Sequence, residues 1–96
     1  MARVKNCKAK GTRLELRTMK VLEAQGYACS RSAASLGEWD VIAIGQDVRL
    51  IQVKANRRPG SVEMTRLRDF YAPPGCIKEI WVWKDGKPKD PLIEVI

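Results

Sequence analysis

Asp40, Gln52 and Lys54 are polar residues within two short apolar segments, residues 40–44 and 48–55. Carboxylate and amide oxygens are hard ligands of the kind that Mg²⁺ prefers, and a lysine can orient or deprotonate an attacking water. An ammonium group can also offset the negative charge that develops on phosphorus during hydrolysis. If these side chains lie together, their chemistry is that of a metal-dependent phosphodiesterase.

The register of a predicted hairpin decides whether the three side chains meet. Both segments are rich in β-branched residues and predict paired strands, joined by a turn at residues 45–47. With that three-residue loop, Asp40 falls opposite Gln52, and Lys54 shares their face. A two-residue turn would instead place Asp40 opposite Val53 and separate the group.

Two further groups could complete this site. The main-chain carbonyl of Val53 is a hard oxygen ligand, and Glu15 on the predicted first helix could hold a metal-bound water or a second ion. Thr12 precedes Glu15 by three residues, so Glu15 could instead belong to a capping box. Glu15 nevertheless falls in the apolar arc of the helix, where a carboxylate needs a metal or a donor. Asp40 could also merely close a loop, and Lys54 could be an ordinary surface lysine.

The elements that must position these residues follow the order α-β-β-β-α-β-β. Apolar periodicity and turn residues predict helices at residues 12 to about 25 and 61 to about 71, and strands at 27–31, 40–44, 48–55, 77–84 and 92–96. Residues 1–96 are expected to form a single domain, in which residues 1–10 are a basic, poorly ordered lead-in.

Trp81 and Trp83 alternate along the fourth predicted strand and therefore face the same way. They could form a core layer, a dimer surface or a platform for stacking bases. A core or dimer contact is the favoured interpretation, because a strand late in a small sheet must cover its apolar face.

Composition narrows the possible chemistry. The chain has no histidine, which excludes histidine-based nucleases, serine triads with histidine and His-ligated zinc enzymes. Cys7, Cys29 and Cys76 lack the paired spacing of a zinc site and are expected to be free thiols. We find neither an apolar run long enough to span a membrane nor a secretion signal, so an intracellular, cytoplasmic location is expected.

Basic residues outnumber acidic ones by 18 to 11, giving a net charge of +7, and they concentrate in residues 1–20 and 49–68. The phosphate backbone of a nucleic acid is the natural partner for two such segments. The alternative is a charge that serves solubility alone. The residues expected to contact DNA are Lys5, Lys8, Lys10, Arg13, Arg31, Arg57 and Arg58.

Four short segments resemble the PD-(D/E)XK nuclease pattern, most closely that of archaeal-type Holliday junction resolvases. They are residues 14–16, 31–32, 39–43 and 51–54, which read LEL, RS, WDVIA and IQVK. The resemblance implies a restriction-endonuclease-like α/β fold with an αβββαβ core, in which helices flank a central mixed sheet. It also implies Mg²⁺-dependent hydrolysis of branched double-stranded DNA, with Mn²⁺ as a substitute, usually by a homodimer that cuts four-way junctions.

Carried onto this sequence, the resemblance implies that Glu15, Asp40 and Gln52 belong to the metal site and that Lys54 is the catalytic lysine. A serine associated with catalysis in that family matches Ser32, with Ser30 and Ser35 as weaker candidates. Ser32 could equally be a plain loop residue.

Two departures from the family pattern stand out. Trp39 replaces the proline of the motif, which is a common variation. Gln52 replaces the usual carboxylate, so one negative charge is missing and the affinity for metal should fall. The expected function is a structure-selective DNA endonuclease, most simply a junction resolvase. The alternatives are a replication-repair nuclease acting on flaps or ends, and a DNA-binding module that does not cleave.

Overall fold

The computed structural model describes residues 2–31, 38–86 and 90–96, with side chains from residue 9 onward in these ranges. The elements follow the predicted order α-β-β-β-α-β-β. They are α1 (Ala2–Ala24), β1 (Ala28–Arg31), β2 (Val41–Ile44), β3 (Val48–Ala55), α2 (Ser61–Asp69), β4 (Cys76–Trp83) and β5 (Leu92–Val95).

Helix α1 begins at Ala2 rather than at the predicted Thr12, so residues 2–10 belong to the helix and are not a separate lead-in. The segment is rich in alanine, lysine and arginine, which favour helix in the absence of a breaking signal. Because Thr12 lies inside the helix, it cannot cap the helix, and the capping-box interpretation of Glu15 is wrong. The helix ends as predicted before Gly26, which adopts a positive φ of 98°.

The five strands form one mixed sheet in the order β1-β2-β3-β4-β5. Strand β3 pairs in parallel with β4, and the other neighbouring pairs are antiparallel. Antiparallel neighbours can be joined by short turns, whereas the parallel pair requires a crossover, which α2 provides. Because β2 and β3 are antiparallel, the start of β2 and the end of β3 lie at the same end of the sheet.

The predicted register of the β2–β3 hairpin is confirmed, since Ile44 pairs with Val48. Gly45 is required at the first position of the turn, because a Cβ there would lie 2.9 Å from the Tyr27 ring. Asp40 immediately precedes β2. When the register is extended by one residue to include it, Asp40 lies opposite Gln52, as predicted.

The two helices cover opposite faces of the sheet, which confirms the predicted α/β architecture. Two core clusters result. The cluster beneath α1 contains Leu14, Leu22, Tyr27, Val41, Ala43, Ile51, Trp81 and Trp83. The cluster beneath α2 contains Trp39, Leu50, Met64, Leu67, Ile80 and Val82. Because strand residues alternate between faces, β3 directs Ile51 toward α1 and its neighbours Leu50 and Gln52 toward α2.

Trp81 and Trp83 are core residues on the α1 face, with 1% and 4% of their surface exposed. The Trp83 indole N–H donates a 2.8 Å hydrogen bond to Thr18 Oγ1, and Thr18 in turn donates a 2.8 Å bond to the Leu14 carbonyl. The core interpretation of the two tryptophans is confirmed. Their use as a base-stacking platform or as a dimer surface is wrong, because both rings are covered within the chain.

A polar cluster that was not predicted from the sequence lies at the opposite end of β3. Buried Glu79 accepts hydrogen bonds from the Arg49 guanidinium at 3.0 Å and from the Trp81 indole at 2.9 Å. Asp47 accepts a 2.6 Å bond from the Tyr27 hydroxyl and a 3.1 Å bond from Arg49. The bonds from Tyr27 and then Arg49 lower the pKa of Asp47 below its ordinary value. This cluster fixes the hairpin turn to the sheet.

Two expectations drawn from composition can be compared with the structure. Cys29 and Cys76 are free thiols, as predicted, and the side chain of Cys7 lies outside the described residues. Within the described ranges, neither helix combines the length and apolarity needed to cross a membrane.

Candidate active site

Asp40 lies in a bend immediately before β2 and is held against the end of β3. Its main-chain N–H donates to the Ile51 carbonyl at 2.9 Å, and its Oδ2 accepts a 2.9 Å hydrogen bond from the main-chain N–H of Val53. The carboxylate is half-buried. Two hydrogen bonds to the backbone of β3 therefore fix Asp40 at the end of the strand that carries Gln52 and Lys54.

Burial raises the pKa of Asp40 above its ordinary value, and the hydrogen bond from Val53 N–H opposes that effect. Three charged side chains also act on it: Glu15 and Glu63 raise the pKa of Asp40, and Lys54 lowers it. Carboxylates from α1, from the start of β2 and from α2 are thus close enough to influence one another electrostatically. Each of the two glutamates is itself paired with a cationic side chain, so the negative charge around Asp40 is partly compensated.

Gln52 and Lys54 extend from the α2 face of β3 and share one partner, Glu63. Gln52 Nε2 donates to Glu63 Oε2 at 2.8 Å, and Lys54 Nζ lies 3.0 Å from Glu63 Oε1. Gln52 is 6% exposed, and its Oε1 is buried without a hydrogen-bond partner. The predicted common face of Gln52 and Lys54 is therefore observed, but the carboxylate between them was not anticipated.

Glu63 was missed because its proximity depends on the crossover between two parallel strands. Strand β3 ends at Ala55, a loop follows at residues 56–60, and α2 then begins at Ser61 and covers the face that carries Gln52. The first turn of α2 consequently lies over the end of β3. A carboxylate in the first turn of the helix that follows the IQVK segment was the available signal.

Glu15 faces the sheet side of α1 and is satisfied by Arg31. Arg31 Nε donates to Glu15 Oε1 at 2.9 Å, and Arg31 also contacts Thr12 Oγ1 at 3.4 Å. The donor that a partly buried carboxylate requires is therefore a guanidinium. This pairing leaves Glu15 near Asp40 but reduces the negative charge that it contributes and the positive charge that Arg31 can offer to DNA.

The described residues contain no group of three or more His, Cys, Asp or Glu side chains arranged to hold a metal ion. The unpartnered, buried Oε1 of Gln52 is the feature that fits a cation, since buried polar atoms ordinarily have a partner. Together with Asp40 and the carbonyl of Val53, it would give an oxygen donor set of the type that suits Mg²⁺, with water completing the coordination.

The residues predicted to contact DNA differ in how free their charges are. Lys10 pairs with Asp85 at 2.9 Å, and Arg58 pairs through two nitrogens with Glu94. Arg57 is exposed. So is Arg13. Lys5 and Lys8 belong to α1, but the structure does not describe their side chains. Ser32 and Ser35 lie outside the described residues.

Ser30 is the serine candidate that the structure describes. It is exposed on β1, and its hydroxyl makes a long 3.4 Å hydrogen bond to the Arg31 carbonyl. Among the described residues, no hydrogen bond joins its hydroxyl to Asp40, Gln52 or Lys54. Its assignment as a catalytic serine gains no support from the fold.

Comparison with solved structures finds a similar fold in a Holliday junction resolvase from the archaeal hyperthermophile Archaeoglobus fulgidus. The TM-score is 0.65, and the match covers 90% of this chain and 84% of that chain at 19% sequence identity. This chain has the restriction-endonuclease-like fold. No protein-family profile matches the sequence, and no curated protein is similar enough to be counted as a relative.

Within this restriction-endonuclease-like fold, the candidate residues gather at one end of the sheet. Asp40 precedes β2, and Gln52 and Lys54 lie near the end of β3. Glu15 approaches from α1 on one face, and Glu63 from α2 on the other. The arrangement brings carboxylate and amide groups and one ammonium group to the same end of the sheet, which both helices border.

Proposed function

We propose that the protein is a divalent-metal-dependent endonuclease that acts on branched double-stranded DNA, with four-way junctions as its main substrate. The observation that carries the proposal is the position of Asp40, Gln52 and Lys54 at one sheet end, with Gln52 Oε1 buried and unpartnered. The fold similarity to a Holliday junction resolvase supports the choice of DNA as substrate. The net charge of +7 favours a polyanion.

Each residue has a role that its surroundings suit. Asp40, fixed by the Val53 N–H, and the Oε1 atom of Gln52 would hold Mg²⁺, with Glu15 beside them. Bound Mg²⁺ supplies Lewis-acid stabilisation of the scissile phosphate. The Lys54 ammonium orients the attacking water and offsets the charge that develops on phosphorus. In the hydrolysis, the water oxygen forms a bond to phosphorus while one phosphodiester P–O bond breaks.

We also propose that the active form is a homodimer, as symmetric cleavage of a junction requires two sites. Strand β5 lies at one edge of the sheet and exposes about half or more of Leu92, Ile93 and Val95. An apolar edge strand is a common surface for self-association. With Trp81 and Trp83 buried, any apolar contact from the last two strands would come from β5.

The proposal is tested by incubating the protein with a labelled four-way junction, a flap and a linear duplex, with and without Mg²⁺. We expect junction cleavage that requires the metal. Asp40→Asn and Lys54→Ala are expected to abolish cutting while junction binding persists, because each removes one part of the chemistry and leaves the exposed Arg13 and Arg57 in place. Glu23→Gln, which removes an exposed carboxylate on α1, is the matched control and should cut normally.

The assay also separates the competing functions. Preferential cutting of the flap or the duplex end would favour a replication-repair nuclease. Binding without cutting in Mg²⁺ or Mn²⁺ would favour a DNA-binding module, for which the missing carboxylate at Gln52 is the supporting observation. Equal cutting by wild type, Asp40→Asn and Lys54→Ala would refute the assignment of the site.

A further inference from the structure

Glu63 connects the two residues of β3 that the proposed function uses. Its Oε1 lies 3.0 Å from Lys54 Nζ, and its Oε2 accepts a 2.8 Å hydrogen bond from Gln52 Nε2. The Glu63 side chain is 22% exposed and that of Lys54 is 31% exposed, so both are partly removed from water. A partly desolvated carboxylate bonded to an amide and to an ammonium is held in one position.

This contact determines which way the Gln52 amide faces. A carboxylate only accepts hydrogen bonds, whereas an amide has a donor side and an acceptor side. Glu63 therefore selects the rotamer in which Nε2 faces α2, and Oε1 is directed elsewhere, where it is buried without a partner. Rotation of the amide by half a turn would bring two oxygens together and is disfavoured.

The contact also brings a carboxylate to Gln52. A glutamine at position 52 carries no negative charge, and Glu15 is already paired with Arg31. Glu63 is a carboxylate within hydrogen-bonding distance of Gln52, and it acts electrostatically on Asp40 together with Glu15 and Lys54. Its charge is shared with Lys54, as that of Glu15 is with Arg31, but Glu63 alone contacts Gln52 and so brings a carboxylate to that residue from a different element of the fold.

We propose that Glu63 supplies, from α2, the carboxylate that the site lacks at position 52. It acts as a positioning residue that presents Gln52 Oε1 to a divalent cation and holds Lys54 beside it. This inference rests on the proposed function, because it concerns the same site.

Cation binding without DNA tests the inference separately from cleavage. Titration calorimetry with Mn²⁺ is applied to the full chain as wild type, Glu63→Gln and the double variant Gln52→Glu with Glu63→Gln. Glu94→Gln is the matched control, since it also removes a carboxylate paired with a cationic side chain. Circular dichroism and thermal unfolding without cation establish that each variant keeps its fold. Gln matches Glu in volume, so the change at position 63 disturbs packing little.

Glu63→Gln is expected to weaken Mn²⁺ binding by roughly 10- to 100-fold, the range found when residues that support metal ligands are removed. The double variant is expected to recover most of that loss, because it returns a carboxylate to position 52. A solely structural role of Glu63 predicts no such recovery. Glu94→Gln is expected to bind as wild type does.

The outcomes separate this inference from the proposed function. Unchanged Mn²⁺ affinity in Glu63→Gln, with a wild type that binds the ion and cuts DNA, overturns the inference alone. A loss that the double variant does not recover overturns the claim that Glu63 replaces a carboxylate at position 52. Glu63-dependent ion binding by a protein that cuts no DNA would support the inference and refute the proposed nuclease. A wild type that binds no Mn²⁺ would overturn both.

Discussion

The hydrogen bond between Thr18 and Trp83 should be measurable as a contribution to the free energy of unfolding. Thr18→Val keeps nearly the same volume but removes the hydroxyl that accepts the 2.8 Å bond from the Trp83 indole. Thr18 is fully buried and Trp83 is 4% exposed, so water cannot replace the lost acceptor. An unsatisfied buried donor costs about 1–3 kcal/mol. For a domain of this size, each kcal/mol lowers the melting temperature by about 4–8 °C.

Thr65→Val is a matched control, because Thr65 makes the same hydroxyl-to-carbonyl contact one turn back in its helix. Its Oγ1 donates to the Ser61 carbonyl at 3.0 Å on an exposed surface, with no indole attached. That change is expected to alter stability by less than about 0.5 kcal/mol. Urea and thermal unfolding of both variants provide the measurement. Equal losses for the buried and the exposed threonine would refute the argument that the indole bond stabilises the fold.

Three further predictions concern charge and assembly. Arg57→Ala is expected to reduce the salt dependence of junction binding, by about one unit of the logarithmic slope if one phosphate contact is lost. Arg68→Ala on α2 removes the same charge and is the control, whose slope should stay that of wild type. Asp47→Asn is expected to destabilise the protein at neutral pH, and the difference from wild type in urea unfolding should shrink as acid protonates Asp47. The sign follows because the folded pKa of Asp47 is lowered, so its stabilisation is present above the ordinary pKa and is lost as pH falls through the folded pKa. Ile93→Lys is expected to convert a dimer to a monomer in light scattering, and a monomeric wild type would contradict the proposed role of β5.

The sheet and the β3 part of the site could be predicted because their determinants are local in sequence. Strands β2 and β3 follow from runs of β-branched residues, and of the two turns considered the three-residue turn gives the observed register. Once Ile44 pairs with Val48, the relative positions of Asp40 and Gln52 are fixed by alternation alone. Gln52 and Lys54 are two residues apart on one strand and therefore share a face, whatever the rest of the fold is.

The start of α1 could not be predicted, because the capping pattern of Thr12 and Glu15 can also occur inside a helix. Thr12 followed three residues later by Glu15 is typical of a capping box, yet the preceding residues favour helix equally well. Where both sides of a candidate cap can be helical, the cap pattern carries little information. The same pattern therefore led to a wrong boundary and to a wrong alternative for Glu15.

The partners of the charged side chains were beyond local patterns. Arg58 pairs with Glu94 across 36 positions of sequence, and Arg31 pairs with Glu15 across 16. Both arginines were predicted to contact DNA from their charge alone, which says nothing about acids brought near by the fold. Glu63 is a similar case, because its place in the site depends on the path of the crossover helix and not on its neighbours in sequence.

The order of the strands in the sheet has a consequence for how this protein could change over evolutionary time. Every residue assigned to the candidate site lies between α1 and the first turn of α2, and β4 and β5 contribute none of them. Strand β4 is constrained by the two cores that it joins, but β5 is an edge with largely exposed side chains. Substitutions in β5 could therefore alter which surface the protein recognises, including its own copy, while leaving the groups that perform the chemistry unchanged.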